Sequence, residues 1–306
     1  MMDMHTIRND RLSVNFMLPR TPRVSERFDA CGVVNEVLLD GKHTFCVPEQ
    51  LIPGRVTTWG LGLCGEFVTS GIASQAKQGE QFPKFGVGLL TQREEGGEHS
   101  VWRQYGTEPF EISVEQGSDC IAFTEEPKPC LGYAARVRKE YRVEENRLIL
   151  TETFENTGEK TIPLQEYQHN FVCIDHLPVG AGYHLELPFD RKIKELEGNV
   201  SYLGEREALE GIVSVKGQTM HWLDSMEGKT WFQILDQEDV LPQEGYYWKL
   251  SHDRSPAYLT ESLSFVPGKV VLWGIEHCIC VELYYQKEVA PGETASWQRI
   301  WTFGER

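Results

Sequence analysis

The chain has 306 residues, enough to bury a large core, and its eight tryptophans and fourteen phenylalanines indicate a packed globular protein. A formal net charge of −16, with no run of lysines or arginines, argues against nucleic acid and anionic membranes as partners. The N-terminal residues lack the apolar segment of a secretory signal, and no stretch reaches the length of a membrane-spanning helix.

The eight cysteines are spread along the chain and never form the Cys-x2-Cys pairs of a zinc site, so no metal site is predicted. Cys278 and Cys280 point to the same face of a predicted strand and lie too close for an easy bridge. Reduced, mostly buried thiols are favoured over disulfides, which predicts a cytoplasmic protein.

Strand patterns begin with a hairpin. Residues 33–39 and 42–46 have strand composition, and Asp40-Gly41 between them is a strong signal for a two-residue turn. A second predicted pair, residues 111–114 and 120–124, flanks a polar turn.

The centre of the chain predicts an antiparallel meander. Residues 133–143 alternate between apolar and charged side chains, and polar turns separate them from strands at 147–155 and 161–171. The C-terminal part repeats the pattern, with strands at 270–275, 278–286 and 294–303. Only residues 203–210 predict a short helix. Because no linker or βαβ alternation divides the chain, we expect a single all-β domain over residues 1–306, a large antiparallel β-sandwich.

Two polar residues stand out in these strands. His169 shares a strand face with Gln165 and Tyr167, and Glu282 shares one with Cys280, Tyr284 and Gln286, opposite the apolar face of its strand. Taken alone, each is more often a hydrogen-bonded or solvated side chain than a catalytic one. The pair gains meaning only if the two strands are neighbours, which spacing cannot show.

The order of several short motifs resembles that of the aldose 1-epimerase (galactose mutarotase-like) superfamily. The motifs are Gly132-Tyr133, residues 140–150, Asn156-Thr157, residues 162–164 and His169-Asn170-Phe171, followed by Cys280-Val281-Glu282, Pro291-Gly292-Glu293, Trp297 and Trp301-Thr302-Phe303. Cys280-Val281-Glu282 is closest to the hexose-6-phosphate mutarotase branch, and residues 82–86 also resemble it. The resemblance implies a galactose mutarotase-like supersandwich with few short helices.

The resemblance also implies an activity, the interconversion of α and β anomers of a free or phosphorylated aldose in a concave cleft. It makes His169 and Glu282 the acid/base pair, with Glu282 as base on the anomeric hydroxyl and His169 as acid at the ring oxygen. The chemistry needs no metal or organic cofactor.

Four further residues are expected to bind the sugar. Tyr167 shares the face of His169, and Lys84 lies in the segment comparable to the one that holds phosphate in the hexose-6-phosphate branch. Arg136 lies on the polar face of the meander, and Asp175 follows His169 by six positions.

Two other functions remain open. A non-catalytic carbohydrate-binding β-sandwich is the main alternative, because the His-Gly-Gly motif of many family members is absent and only His99 lies near its expected place. A lyase or hydrolase would call for a second acid beside Glu282, and none is evident. The partner is expected to be a small sugar, and the chain a monomer or homodimer.

Overall fold

A computed structural model describes residues 3–19, 26–50, 60–69, 71–188, 211–235 and 244–306. Within these ranges the regular secondary structure is almost entirely β-strand, with one 3-10 turn at Ala73–Gln75. No helix among the described residues is long and apolar enough to cross a bilayer.

The strands are numbered in chain order: β1 Met4–Arg8, β2 Leu12–Met17, β3 Val33–Leu39, β4 His43–Thr44, β5 Leu63–Val68, β6 Gln81–Lys84, β7 Gly88–Thr91, β8 Thr107–Pro109, β9 Ile112–Gln116, β10 Cys120–Glu125, β11 Ala135–Glu144, β12 Arg147–Asn156, β13 Ile162–Asn170, β14 Tyr183–Glu186, β15 Val213–Lys216, β16 Thr219–Trp222, β17 Thr230–Leu235, β18 Trp248–His252, β19 Ala257–Leu263, β20 Lys269–Ile275, β21 Cys278–Val289 and β22 Thr294–Glu305.

Two large antiparallel sheets are formed by the described strands. The first has the order β1-β2-β3-β5-β13-β21-β20-β17, with β4 paired to β3, and we call it the front sheet. The second, the back sheet, has the order β15-β16-β14-β18-β19-β22-β12-β11-β10-β9. Strands β6, β7 and β8 form a small separate sheet. The predicted all-β antiparallel sandwich is confirmed.

Local sequence explains the best-predicted elements. Strand β3 has the predicted bounds, and Asp40 and Gly41 after it adopt φ values of 51° and 67°, as a two-residue hairpin turn requires. Of the predicted central meander, β11 and β12 form an antiparallel hairpin in the back sheet, and the side chains of β12 alternate strictly between buried and half-buried. The third strand of the prediction is wrong in its pairing, because β13 crosses to the front sheet and pairs there with β5 and β21. The predicted helix at 203–210 lies outside the described residues, and the single domain remains a prediction.

The sandwich core is built from both sheets. One buried apolar cluster includes Phe16 of β2 together with Phe123 and Tyr141 of the back sheet, and the rings of Phe16 and Tyr141 meet edge to face at 4.9 Å. Burial of such aromatic area between two sheets is the main force that holds a sandwich together.

Six fully or almost fully buried charged residues also lie between the sheets, and we call them the interior charge network. They are Asp29, Lys139, Glu152, Glu166, Glu261 and Arg299. Lys139 Nζ lies 2.8 Å from Glu152 Oε2, and Arg299 lies 2.8 Å from Glu166 Oε2. Four acids against two cations leave an excess of negative charge. Burial and the neighbouring Glu166 raise the pKa of Glu152 to about 7, so the network holds protons that a solvated carboxylate would lose.

Candidate active site

His169 and Glu282 lie on adjacent strands of the front sheet. Strands β13 and β21 pair from Ile162 to Glu166, and the same register returns at the bridge between Val172 and Ile279. His169 therefore lies opposite Glu282, where side chains of an antiparallel pair touch. Their closest atoms, His169 Nδ1 and Glu282 Oε1, are 2.9 Å apart.

A second carboxylate contacts the other ring nitrogen of His169. Glu66 Oε2, on β5, lies 3.0 Å from His169 Nε2. Strand β5 pairs with β13 so that Glu66 faces Tyr167 and is the diagonal neighbour of His169. The imidazole is thus held between two carboxylates, with its side chain only 2% exposed.

Glu66 is itself surrounded by donors. Its Oε2 accepts hydrogen bonds from the Tyr167 hydroxyl at 2.6 Å and from Arg27 Nε at 2.7 Å. Its Oε1 lies 3.3 Å from Lys84 Nζ, which also donates to the carbonyl of Phe67 at 2.7 Å. Burial would raise the pKa of Glu66, but Arg27, Lys84 and His169 outweigh it and hold that pKa well below the usual range.

The charge balance acts on His169 in the opposite direction. Burial tends to lower the pKa of His169, yet the attraction and hydrogen bonds of Glu282 and Glu66 exceed that effect, so the pKa is raised. The imidazole is therefore protonated over a wider pH range than a solvated histidine. A protonated ring between two carboxylates is a group that can release a proton to a third molecule.

Aromatic rings enclose the pair. Phe171 stacks on the imidazole of His169 at 5.1 Å, and Phe28 meets it edge to face at 4.9 Å. Tyr167 and Tyr284 stack on each other at 4.1 Å, and the Tyr284 hydroxyl donates to Glu282 Oε2 at 3.3 Å. Flat rings beside hydrogen-bonding carboxylates are the usual composition of a sugar-binding surface.

The other residues expected to bind the sugar divide into two groups. Lys84 and Tyr167 both contact Glu66 and so belong to this arrangement. Arg136 lies on the solvent-exposed face of the back sheet, paired with Glu126 and Glu155. Because β13 turns Glu166 toward the back sheet and His169 away from it, Arg136 and His169 are on opposite sides of the sandwich. The structure therefore does not bring Arg136 into the site.

Asp175 is also held elsewhere. Its carboxylate contacts His43 Nδ1 at 2.9 Å and accepts hydrogen bonds from the Ser255 hydroxyl at 2.6 Å and from the backbone N–H of Thr44. Asp175 has a φ of 52°, typical of a turn. Its carboxylate joins the chain around Thr44 to that around Ser255, so the expected role in orienting a sugar at His169 is not supported by its position.

Comparison with known proteins bears on the fold. No protein-family model matches the chain, and no curated protein matches it significantly. Three solved structures are similar along their whole lengths. The Slr1438 protein from Synechocystis sp. PCC 6803 is 13% identical over 100% of this chain and 97% of its own, with a TM-score of 0.61. A galactose mutarotase-like protein from Lactobacillus casei ATCC 334 is 14% identical over 99% of this chain and 100% of its own, with a TM-score of 0.58. The GalM/aldose epimerase homologue from C. elegans is 11% identical over 100% of this chain and 99% of its own, with a TM-score of 0.58. The chain has the galactose mutarotase-like fold.

Sequence reasoning missed two charged residues that this galactose mutarotase-like fold brings to His169. Glu66 lies in Leu63–Val68, a strand whose other residues are all small or apolar, and that isolated charge was an available signal. Arg27 gave no signal, because its contact with Glu66 joins segments that are distant in sequence.

His99 lies within electrostatic reach of the same cluster. Burial, together with the charge of Lys84, lowers the pKa of His99 to about 3, so its ring is neutral. The ring stacks on Tyr105 at 5.2 Å. This places a neutral histidine on the Lys84 and Glu66 side of the site, whereas the protonated His169 lies between the two carboxylates.

Three side chains of the candidate site are of types that ligate metals. Ligand atoms of His169, Cys280 and Glu282 lie within 4.8 Å of one another. Because His169 Nδ1 already contacts Glu282 Oε1, an ion bound by these residues would have to replace that contact.

Proposed function

We propose that this chain is an aldose 1-epimerase-like mutarotase that interconverts the α and β anomers of an aldose by acid/base catalysis. The observation that carries the proposal is the position of His169, 2.9 Å from Glu282 and 3.0 Å from Glu66. Ring opening needs a base at the anomeric hydroxyl and a protonated acid at the ring oxygen, two oxygens that are bonded to the same carbon. A carboxylate and an imidazolium this close together can supply both.

In the proposed reaction, Glu282 removes the proton from the anomeric hydroxyl while His169 delivers a proton to the ring oxygen. The bond between the anomeric carbon and the ring oxygen breaks, and the hydroxyl oxygen becomes the carbonyl of the open-chain aldehyde. After rotation about the C1–C2 bond, the new hydroxyl returns its proton to His169 as it attacks the carbonyl. Glu282 then returns the first proton to the anomeric oxygen, so both residues end in their initial states.

This mechanism gives Glu66 a positioning role. Glu66 contacts Nε2 of His169, and the proton that faces Glu282 is the one on Nδ1. The reacting end of the sugar would therefore take the place of the direct contact between His169 Nδ1 and Glu282 Oε1. Because the low pKa of Glu66 keeps that carboxylate ionised, it holds the imidazolium without competing with Glu282 as the base.

The substrate in this proposal is a neutral aldose in preference to a sugar phosphate. Both cations of the site contact Glu66, Arg27 at 2.7 Å and Lys84 at 3.3 Å. A phosphate would have to draw one of them away from a buried carboxylate, which is costly. Stacked Tyr167 and Tyr284 supply the kind of aromatic area that neutral sugars bind.

A second candidate is sugar binding without catalysis. Both ring nitrogens of His169 are in contact with carboxylates, and its side chain is almost fully buried. If the sugar does not displace Glu282 from Nδ1, the residues still offer hydrogen-bonding groups but transfer no proton.

Anomerisation kinetics separate the two functions. We expect the wild type to accelerate the approach of α-glucose or α-galactose to equilibrium, followed by polarimetry or NMR. His169→Ala and Glu282→Gln should each lose roughly 10²–10⁴-fold in rate. Arg136→Ala, on the opposite side of the sandwich, is the matched control and should retain the activity. If the wild type is no faster than buffer on any aldose, including glucose 6-phosphate, yet binds one of them, the chain is a carbohydrate-binding protein.

A cytoplasmic location is part of the same proposal. All eight cysteines are free, and each is buried or half-buried, as expected of a protein in a reducing compartment.

A further inference from the structure

Two histidines of the back sheet face each other outside the candidate active site. His184 of β14 and His221 of β16 are directly opposite in the antiparallel register. Their Nδ1 atoms lie 2.7 Å apart, and the rings meet at 71°. Two neutral imidazoles can approach in this way only if one Nδ1 carries a hydrogen and the other presents a lone pair.

A carboxylate fixes which ring presents the lone pair. Asp253 Oδ1 lies 2.9 Å from Nε2 of His184, and this hydrogen bond lowers the pKa of Asp253 and keeps it ionised. His184 must therefore carry its proton on Nε2, which leaves the lone pair of Nδ1 directed at His221. A carboxylate behind a histidine that presents its other nitrogen is the arrangement found at metal-binding histidines.

The pair is also accessible. The side chain of His184 is 22% exposed and that of Asp253 is 64% exposed. On the other side, Ser214 of β15 lies opposite His221, and its buried hydroxyl has no hydrogen-bond partner among the described residues. Asp253, His184, His221 and Ser214 thus form a polar row, which an ion from solvent can reach at its His184 and Asp253 end.

We propose that His184 and His221 bind a divalent transition-metal ion of the class that prefers imidazole, such as Zn²⁺ or Cu²⁺, through their two Nδ1 atoms. Metal–nitrogen bonds of about 2.0–2.1 Å place two ligands of one ion about 2.9–3.4 Å apart, the shorter distance at a square-planar and the longer at a tetrahedral ion. From their present contact of 2.7 Å the two rings must therefore separate slightly and tilt until both Nδ1 lone pairs point at the ion. Water completes the coordination, and the Ser214 hydroxyl is available to hydrogen-bond one such water.

The ion can bind without releasing a proton from either histidine. When the ion replaces the hydrogen between the rings, the proton on His221 moves from Nδ1 to Nε2, so both histidines remain neutral ligands. His184 keeps its Nε2 proton on Asp253. The formal net charge of −16 raises the local concentration of any divalent cation.

This site is independent of the proposed mutarotase activity. His184 and His221 lie on the back sheet, whereas His169 and Glu282 lie on the front sheet. An ion held by both strands binds only the folded chain, so it should raise the melting temperature by mass action. Activity plays no part in that measurement.

The test is a titration of the full chain with ZnCl₂, followed by thermal unfolding, and with CuCl₂, followed by electron paramagnetic resonance. In the wild type we expect a rise in melting temperature and a copper signal with coupling to two imidazole nitrogens. His184→Ala and His221→Ala should each lose at least tenfold in affinity and the two-nitrogen signal. Asp253→Ala should lose about tenfold, because the histidine is no longer oriented.

Two controls make the result specific. His5→Ala removes a half-buried histidine whose Nε2 contacts a backbone carbonyl, and it should bind as the wild type does. His169→Ala removes the other set of possible ligands, and it should also leave the binding unchanged. If neither metal shifts the wild type, or if His184→Ala and His221→Ala bind as tightly as the wild type, the pair is only a hydrogen bond and the proposal is wrong. Loss of binding in His169→Ala alone would assign the ion to the front sheet and would equally overturn it.

Discussion

Glu66 Oε2 lies 3.0 Å from Nε2 of His169, and Glu282 lies against the opposite ring nitrogen. The two carboxylates come from strands on either side of β13. One imidazole is thus placed between two negative charges that are separated in sequence by more than two hundred residues.

Replacing Glu66 by glutamine should lower the pKa of His169. The substitution keeps a hydrogen-bond acceptor but removes a negative charge from beside His169, and it leaves the positive charges of Arg27 and Lys84 with fewer carboxylates to balance them. The proposed rate should fall about tenfold for each unit by which this pKa drops below the working pH. NMR titration of the His169 ring measures the shift. Tyr167→Phe, which removes a neutral donor to Glu66, is the control, and an unchanged His169 pKa in Glu66→Gln would show that Glu66 does not hold the proton.

The proposed activity should decline as pH rises through the raised pKa of His169. His169 must be protonated to deliver a proton to the ring oxygen, and its pKa is raised because Glu282 and Glu66 outweigh burial. The basic limb of the kcat/KM profile should therefore lie above the value of about 6.5 of a free histidine. A Glu66→Gln profile whose basic limb moves to lower pH would support the same assignment, and a limb that stays in place would contradict it.

Replacing Lys84 by methionine should destabilise the fold by about 3–5 kcal/mol. Lys84 is fully buried and donates to Glu66 Oε1 and to the carbonyl of Phe67. Its removal leaves a buried carboxylate with less compensation and a carbonyl without that donor. Urea unfolding measures the loss. Arg11→Met breaks an exposed pair with Asp40 and should change the free energy of unfolding little, so equal losses in the two variants would refute the prediction.

Replacing Glu152 by glutamine should flatten the dependence of stability on pH. In the folded chain burial and Glu166 raise the pKa of Glu152 from its usual 4.5 to about 7, so the folded chain binds a proton that the unfolded chain releases. The stability that this proton contributes is present at low pH and is lost as pH rises through about 7. Unfolding free energies at about pH 5 and about pH 8 should differ less in Glu152→Gln than in the wild type.

Glu115→Gln is the control for that experiment. Glu115 is exposed and pairs with Arg138 on the outer face of the back sheet. Its replacement should therefore leave the difference in unfolding free energy between about pH 5 and about pH 8 as it is in the wild type. The prediction would be contradicted if the wild type lost less unfolding free energy than Glu152→Gln between about pH 5 and about pH 8.

Sequence patterns predicted what depends on neighbours along the chain. The hairpin at Asp40-Gly41, the hairpin of β11 and β12, and the faces of His169 and Glu282 follow from alternation and turn chemistry, which are local. The crossing of β13 to the front sheet was not predicted, because strand partners are chosen by long-range packing. The strand that carries Glu66 was not predicted, because Leu63–Val68 has neither alternation nor a turn signal beside it. Arg27 escaped for a different reason, since its pairing with Glu66 depends on long-range contacts that no local pattern encodes.

Alternation also misled in one place. Arg136 shares the polar parity of β11 and was expected to meet a sugar, but that parity faces solvent on the far side of the sandwich. Lys139 shares the apolar parity with Val137 and Tyr141, and it is fully buried because Asp29, Glu152 and Glu166 surround its ammonium. A charge on an apolar face was thus the sequence signal of the interior charge network.

The interior charge network has a consequence for the strand that carries His169. On β13, Glu166 faces Arg299 and Lys139, while Tyr167 and His169 face the other way toward Glu66. A slip of one residue would turn His169 toward the interior cations and carry Glu166 away from Arg299, so both faces would lose their partners at once. The buried ion pairs thus specify a single register for β13, and this specificity matters more than any stability that they add to the sandwich.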